Sequence, residues 1–235
     1  MHALSILKRY SSDFVNLFYP DLCVSCGRKL LFSESHFCSF CKHQMPRSGY
    51  INTRNNAAEK IFYGRIPVHS AASAYLFHNK GRIQKVLHAI KYKGQKDTAF
   101  VLGQLLGKEL KKSNRFSCCD TIVPVPLHPK KLKIRGYNQS EWLGKGLSEG
   151  MEVPLNTSLI SRNRYNNSQT TINKYDRWLN VENAFQLNQN ASLNAKHILL
   201  VDDVLTSGAT LEACGRELLK IPNSKLSLFT LAFAD

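Results

Sequence analysis

Residues 198–210 read ILLVDDVLTSGAT, and this stretch decides the fold. The aliphatic run 198–201 predicts a buried strand that ends just before two adjacent acids, Asp202 and Asp203. Small and hydroxyl-bearing residues come next: Thr206, Ser207, Gly208, Ala209 and Thr210. Residues 211–220 then have the apolar spacing of an amphipathic helix.

This order of strand, acidic pair, small-residue turn and helix is suited to holding a phosphorylated sugar. Backbone N–H groups at the start of a helix bind phosphate, and carboxylates bind hydroxyls or a metal ion. The alternative interpretation is an ordinary crossover from a strand to a helix, with a solvated acidic turn. The motif by itself leaves both interpretations open.

The composition indicates a folded globular protein with one large or two small domains. The chain has 235 residues, of which 43% are hydrophobic and 21% are charged. No apolar stretch of the sequence approaches the roughly 18 residues that a membrane span needs. The first 20 residues contain charged side chains, so they lack the apolar core of a secretory signal and fit a short amphipathic helix. These features predict a cytoplasmic protein.

The charge balance is strongly basic, with 32 lysines and arginines against 17 acids and a net charge of +15. Such an excess favours polyanionic partners, namely nucleic acid, a phosphorylated metabolite or anionic lipid. Two basic clusters contain no intervening acid: Lys80, Arg82, Lys85, Lys91 and Lys93, and then Lys130, Lys131, Lys133 and Arg135. Together they favour a phosphate-binding surface over two merely solvated helix surfaces.

Four of the seven cysteines form two C-x-x-C pairs near the start of the chain: Cys23, Cys26, Cys38 and Cys41. Two such pairs complete a tetrahedral four-thiolate site, and a chain that stays reduced favours zinc over disulfides. His36 and His43 are alternative ligands nearby. Because a four-cysteine site has no open coordination position, we predict a structural Zn²⁺ here.

The role of this cysteine knuckle beyond folding is open. Basic residues around it keep a nucleic-acid contact as the alternative to a plain folding role. The other three cysteines, Cys118, Cys119 and Cys214, lack metal-ligand spacing and lie in or beside apolar segments. We predict that they are buried thiols.

From about residue 51 the sequence alternates strand-like and helix-like segments, which predicts a parallel sheet covered by helices on both faces. Ligands of such sheets bind at the carboxyl ends of the strands. The acids after residue 201 and the VPVP stretch at 123–126 both lie at such ends. We therefore predict an N-terminal helix and zinc-binding domain over 1–50, and an α/β domain over 51–235.

Residues 199–210 closely resemble the phosphoribosyl pyrophosphate (PRPP) loop of type I phosphoribosyltransferases. With the four-cysteine knuckle, three further pieces resemble the ComF family, which includes the GntX-like proteins: KYKG (91–94), VPVPLHPKKLKIRGYNQS (123–140) and SQTTINKYDRWLNVENAF (168–185). The similarity runs in order from about residue 23 to residue 230. One departure is Ser207, where many relatives have a second threonine, and it preserves the hydroxyl.

This resemblance implies a type I phosphoribosyltransferase-like sheet with Mg²⁺ and PRPP at its carboxyl edge. Asp202 and Asp203 would bind the ribose 2- and 3-hydroxyls and orient the donor, which makes them the catalytic candidates. The 5-phosphate would be bound by Thr206, Ser207, Gly208, Ala209 and Thr210. A loop over 124–135 would bind pyrophosphate through Lys130, Lys131, Lys133 and Arg135. Residues near 162–178 would form a flap that carries Arg164 and Arg177.

Three functions are open from the sequence. The first is a phosphoribosyltransferase with an unknown nitrogenous acceptor, linked to natural competence. The second is a non-catalytic single-stranded-DNA-binding protein, which would use the basic clusters, the knuckle and aromatic residues such as Tyr92, Tyr137 and Trp178. The third is a PRPP sensor of DNA transformation. Candidate partners besides PRPP are single-stranded DNA, the helicase machinery of DNA uptake and a second copy of the chain.

Overall fold

A computed structural model of the protein describes residues 20–162, 184–188 and 196–234. The strands are β1 (Ser70–Leu76), β2 (Thr121–Pro124), β3 (Ile160–Arg162), β4 (Phe185–Leu187), β5 (His197–Leu205) and β6 (Lys225–Phe233). The helices are α1 (Ser39–His43), α2 (Ala57–Lys60), α3 (Arg82–Tyr92), α4 (Lys96–Lys112), α5 (Pro129–Arg135), α6 (Gln139–Met151) and α7 (Ala209–Leu218). Within the described ranges, no helix has the length and apolarity needed to cross a bilayer.

The main sheet consists of four parallel strands in the order β1–β6–β5–β2. At its centre, Val201 of β5 lies opposite Phe229 of β6 on one side and Pro124 of β2 on the other. Residues 198–201 of β5 are a continuous apolar run, and β6 is buried at every position after Lys225, as expected for strands that are covered on both faces. The predicted parallel α/β sheet is confirmed. Strands β3 and β4 form a separate antiparallel ribbon.

Side chains that alternate along β5 divide the core into two layers. Leu199 and Val201 pack with α3, α4 and α6 on one face of the sheet. Ile198 and Leu200 pack with α7, the segment around α2 and the β3–β4 ribbon on the other face. Helices therefore cover both faces, as the strand and helix alternation predicts.

Strand β5 is longer than the sequence predicts. The apolar run indicates an end at residue 201, but the strand continues through both acids to Leu205. The reason is its neighbour, since Val204 and Leu205 stay paired with Ala232 and Phe233 of β6. The acids are thus carried on a hydrogen-bonded strand and not on a free turn.

The basic stretch before residue 136 also differs from its prediction as a loop, because Pro129–Arg135 forms the short helix α5. The Nδ1 atom of His128 accepts a hydrogen bond from the Lys130 N–H, and proline occupies the first helical position, where no N–H is needed. Gly136 ends the helix in the left-handed conformation, with φ of 77°. The cations of this stretch therefore stand on the surface of a helix.

Helices α4 and α6 approach each other more closely than any residue but glycine allows. A Cβ atom on Gly146 would lie 2.0 Å from the carbonyl oxygen of Phe100, and one on Gly103 would lie 2.4 Å from a carbonyl oxygen of α6. One turn further along, a Cβ on Gly107 would lie 2.9 Å from the Cα of Gly150. This backbone contact fixes the position of α6 beneath the sheet.

The cysteine-rich segment packs against α4. Phe37 and Met45 are buried in the same cluster as the apolar side of α4. The Nδ1 atom of His36 lies 3.0 Å from the Oγ1 atom of Thr98 at the start of that helix. The domain division at residue 50 stays a prediction, and the N-terminal helix predicted before residue 20 lies outside the described residues.

We expect Gly146→Ala to destabilise the protein, because its methyl group would push the α6 backbone away from Phe100. Overpacking of this kind costs about 1–3 kcal/mol, which lowers the Tm of a chain of this size by several degrees, about 2–4 °C per kcal/mol. Thermal unfolding followed by circular dichroism measures the change.

The matched control is Gly144→Ala on the same helix, where the added Cβ would meet the end of the Leu155 side chain at 2.9 Å. That side chain can move, and alanine favours the helix, so the change in Tm should be small. Equal Tm values for the two variants would contradict the close helix contact.

Candidate phosphate-binding site and cysteine cluster

Both acids of β5 are held by side chains from the start of α6. The Ser140 hydroxyl donates to Asp202 Oδ1 at 2.7 Å, and the Gln139 amide nitrogen donates to Asp203 Oδ2 at 2.8 Å. The Asp203 N–H also donates to Asp202 Oδ1 at 2.9 Å. From α3, the Lys91 ammonium forms an ion pair with Asp203 Oδ2 at 3.0 Å. The carboxylates are therefore fixed in orientation.

The start of α6 is placed by its capping residue. The Asn138 side chain accepts a hydrogen bond from the Ser140 N–H at 3.1 Å and donates one to the Val125 carbonyl oxygen at 3.0 Å. The bond from the Ser140 N–H is the usual cap of a helix start. The bond to Val125 holds this cap against the residue that follows β2. The Tyr137 hydroxyl donates to the Ile90 carbonyl oxygen, which joins the same corner to α3.

Without a ligand, ionisation of both acids costs free energy. Burial raises the pKa of Asp202 to about 7, and the charge of the adjacent Asp203 adds to the rise. The hydrogen bonds from Ser140 and from the Asp203 N–H, and the charge of Lys91, act in the opposite direction. A group that donates hydrogen bonds to these carboxylates would relieve the cost of their charge.

The turn between β5 and α7 depends on glycine at position 208. Gly208 has φ of +76°, in the left-handed region. A Cβ atom there would lie 2.7 Å from Cγ2 of Ile61 and 3.0 Å from the Phe62 ring. The turn therefore packs its backbone directly on the segment around α2.

Arg65 ties this turn to the first turn of α7. Its guanidinium donates to the Ser207 carbonyl oxygen at 2.7 Å and to Glu212 Oε2 at 2.8 Å. Sequence reasoning did not single out Arg65, because nothing in its local sequence connects it with residues more than 140 positions away.

A cavity of about 140 Å³ opens beside the acids, between α5 and the start of α6. Five of the predicted ligand residues line it: Asp202, Asp203, Thr210, Lys131 and Arg135. The turn residues 206–209 lie next to Thr210 but outside this lining. Lys130 and Lys133 are exposed and are also not among the lining residues. The predicted ligand residues thus lie at one edge of the sheet, but only some of them face the cavity.

Other residues of this lining were not predicted individually as ligands. Gln139 and Ser140 lie within the stretch that resembles the ComF family, and Arg162, at the end of β3, is the first residue of the predicted flap range. Residues 138–140 lie at the predicted start of a helix that follows a strand. This position could have indicated that Gln139 and Ser140 take part in the site. The predicted flap residues Arg164 and Arg177, and the candidate stacking residue Trp178, lie outside the described residues.

The second feature is the cluster of four cysteines predicted near the start of the chain. The sulfur atoms of Cys23, Cys26, Cys38 and Cys41 all lie within 4.8 Å of one another. The Cys26 and Cys38 sulfurs are 3.7 Å apart, close to the roughly 3.8 Å that a tetrahedral site with Zn–S bonds of about 2.3 Å requires. The donor set therefore fits a metal such as zinc. His36 is bound to α4 instead and His43 is not part of the cluster.

The prediction of three buried thiols is wrong for one of them. Cys119 and Cys214 are buried, but Cys118 is exposed. Cys118 lies in the connection before β2, and its sulfur lies 3.2 Å from Nδ1 of His197.

The chain is similar in sequence to proteins named for competence and DNA utilization. No family model matches the chain. Competence protein F of Haemophilus influenzae is 26% identical over 213 residues, which cover 90% of this chain and 84% of that protein. Competence protein ComFC of Bacillus subtilis is 28% identical, over 92% of this chain and 86% of that protein. The resemblance to the ComF family is confirmed. A shorter match, DNA utilization protein YhgH of Escherichia coli, is 29% identical over 59% of this chain and 61% of YhgH.

Solved structures similar to this ComF-like chain are phosphoribosyltransferases and a PRPP amidotransferase. Adenine phosphoribosyltransferase from Leishmania donovani is 12% identical, with a TM-score of 0.37, over 77% of this chain and 81% of that chain. Glutamine PRPP amidotransferase from Bacillus subtilis is 17% identical, with a TM-score of 0.39, over 56% of this chain and 26% of that chain. The parallel sheet and its strand order, and not these scores, establish the fold.

We expect Asp202→Asn to stabilise the ligand-free protein above neutral pH. Because the folded-state pKa of Asp202 lies above its unfolded value, the wild type loses stability as the pH rises from about 4 to about 7. Asparagine keeps the oxygen that accepts from Ser140 but carries no charge, so the variant should gain about 1–3 kcal/mol at pH 8 and less at pH 5. Urea unfolding at the two pH values measures this gain.

The control is Asp21→Asn, at an exposed aspartate far from the acidic pair in sequence. It should not produce the stability gain at pH 8 that is expected of Asp202→Asn. A stability gain of Asp202→Asn that does not grow with pH would contradict a raised pKa for this carboxyl.

Proposed function

We propose that this chain binds Mg-PRPP at the carboxyl edge of its sheet and transfers the phosphoribosyl group to a nitrogenous acceptor. The observation that carries the proposal is the acidic pair of β5, oriented by Gln139 and Ser140 and adjoined by cations that line the same cavity. The names of the sequence relatives, competence protein F and ComFC, are the reason for linking this activity to DNA uptake.

The acids suit the ribose ring. Each has a carboxylate oxygen fixed by α6, and ionised carboxylates accept hydroxyl hydrogen bonds strongly. Two adjacent hydroxyls of a ribose would supply the donors that the pair lacks. Binding would then lower the cost of ionising Asp202.

The phosphate groups would lie on either side of the ribose. The 5-phosphate would sit at the turn 206–210, where Gly208 has no side chain to block the backbone and α7 begins. Pyrophosphate would sit against Lys131 and Arg135 of α5, which line the cavity. Arg162, at the end of β3, is a further cation of the cavity lining.

In the proposed reaction, a nitrogen of the acceptor forms a bond to C1 of the ribose as the bond from C1 to pyrophosphate breaks. Positive charge develops on the ring and negative charge on the leaving group. Asp202 and Asp203 would orient the ring and stabilise its positive charge, and Lys131 and Arg135 would stabilise the departing pyrophosphate. Preorganised groups of this kind lower the barrier because they need no rearrangement during the reaction.

Two metal ions belong to this proposal. Mg²⁺ prefers carboxylate and phosphate oxygens, and the acidic pair next to bound PRPP would offer both kinds. When bound, Mg²⁺ would neutralise charge on the leaving pyrophosphate. The four-cysteine cluster would hold a structural Zn²⁺, because four thiolates leave no open position for a substrate.

The test is calorimetric titration of Mg-PRPP into the wild type and into an Asp202→Asn/Asp203→Asn variant. Each lost charged hydrogen bond costs about 1.5–3 kcal/mol, so the double variant should bind at least about 100-fold more weakly. A second pair compares Lys131→Gln, which faces the cavity, with Lys133→Gln on the same helix, which does not line it. Only the first should weaken binding.

The outcomes separate the candidate functions. Pyrophosphate release that depends on the acids supports a transferase, and binding without release supports a sensor. Equal affinity of the wild type and the double variant would show that the acids do not hold the ribose.

A second candidate function is binding of single-stranded DNA. It is favoured by a groove of about 690 Å³ between the cysteine knuckle and α3, lined by Lys80, Lys85, His88 and Lys93. Tyr92 on the same helix is 64% exposed. Tyr92 does not line the groove, but a cationic groove next to a helix that carries an exposed aromatic side chain suits the phosphates and bases of a single strand. A helicase partner, a homo-oligomer and a cytoplasmic location stay predictions.

We expect Lys85→Gln/Lys93→Gln to weaken binding of a fluorescent oligothymidylate, measured by anisotropy at several salt concentrations. Loss of two phosphate contacts should reduce the slope of log affinity against log salt by about 1.4. The control is Lys111→Gln/Lys112→Gln at the end of α4, which removes the same charge elsewhere. Identical affinities and slopes for the two double variants would argue against a DNA site in this groove.

A further inference from the structure

The opposite edge of the sheet gathers a second group of metal-binding side chains. His69 immediately precedes β1, Cys118 lies three residues before β2, and His197 is the first residue of β5. Because these strands are parallel, their starting ends meet at one edge, away from the acids. The three residues are distant in sequence and are brought together only by the sheet.

Their donor atoms are close enough to share one ion. One ligand atom from each of His69, Cys118 and His197 lies within 4.8 Å of the other two. The Cys118 sulfur is 3.2 Å from His197 Nδ1, and the two imidazole rings have centroids 4.6 Å apart. Bonds of about 2.3 Å to sulfur and about 2.0–2.1 Å to nitrogen need donor separations of this order.

Serine hydroxyls engage one nitrogen of each histidine. His197 Nε2 lies 2.9 Å from the Oγ atom of Ser227, which is fully buried on β6, so the ring is held with Nδ1 towards Cys118. His69 Nδ1 lies 3.3 Å from the Oγ atom of Ser70. Such a partner on the second ring nitrogen is the usual support of a metal-binding histidine, since it fixes the ring and its tautomer. The backbone N–H of His197 is also held by Asp120 at 3.0 Å.

We propose that His69, Cys118 and His197 form a second metal site, for a borderline divalent ion such as Zn²⁺. Two imidazoles and one thiolate suit zinc and its neighbours among the transition metals, and they disfavour Mg²⁺. Three protein ligands leave a fourth position, which is the difference from the closed four-cysteine cluster.

The fourth position has room for a ligand. His69 and Cys118 line a cavity of about 660 Å³, whose wall also includes Arg54, Asn114 and Arg115. Arg115 is ion-paired with Glu59, whereas Arg54 adds positive charge. An anion or a hydroxide on the ion would match this surrounding charge.

The site is tested by titrating Co²⁺ into the full chain after removal of loosely held metal with a chelator. The wild type should take up one more equivalent of Co²⁺ than Cys118→Ser or His69→Ala, and this equivalent should show thiolate-to-cobalt absorption. Ser227→Ala keeps all three ligands but releases the His197 ring, so it should bind the same equivalent about 10- to 100-fold more weakly.

The matched control is Cys119→Ala, which removes the adjacent thiol but leaves Cys118 in place. It should bind as the wild type does. The proposal is overturned if Cys118→Ser takes up as much Co²⁺ as the wild type, or if His69→Ala retains the additional absorption. Because Cys118 and His69 are exposed, circular dichroism should show both variants folded, and the outcome does not depend on PRPP binding.

Discussion

The contact between α4 and α6 is the constraint on which the candidate site depends. Four glycines, Gly103, Gly107, Gly146 and Gly150, let the two backbones touch. With α6 fixed at that distance, its first residues reach the acids of β5, and the Asn138 cap ties them to the end of β2. The geometry of two polar hydrogen bonds thus depends on an apolar helix contact one to three turns away.

The acidic pair lowers the stability of the ligand-free fold at the candidate binding site. Two carboxylates on one buried strand raise each other's free energy, and Lys91 offsets only part of it. Local rules do not favour two adjacent acids on a central strand. Such exceptions are expected where a site and not the core determines the residues.

Much of the fold follows from the sequence because apolar runs bury strands independently of their partners. Strand β6 over 225–233 is predicted from its apolar residues, and the helix after Gly208 is predicted from its amphipathic spacing. The end of β5 could not be predicted, since pairing with β6 decides it. Residues from separate segments, such as Arg65 beside Ser207, or His69 beside Cys118, are joined by topology alone. The acids were predicted from the local order of strand, acidic pair, turn and helix, and Lys131 and Arg135 from a basic cluster that the family resemblance then marked as a pyrophosphate loop.

The length of β5 has a consequence for how its two ends influence each other. His197 and Asp202 are five residues apart on one strand, about 17 Å at about 3.3 Å per residue. Single charges at that distance interact by about 1 kcal/mol at an effective dielectric constant of about 20, and salt screens them further. A divalent ion at one end would interact with a single charge at the other by about 2 kcal/mol before screening, and salt reduces this to a small effect. Communication between the two edges would have to be mechanical, through a shift of a strand that β2 and β6 hold on both sides.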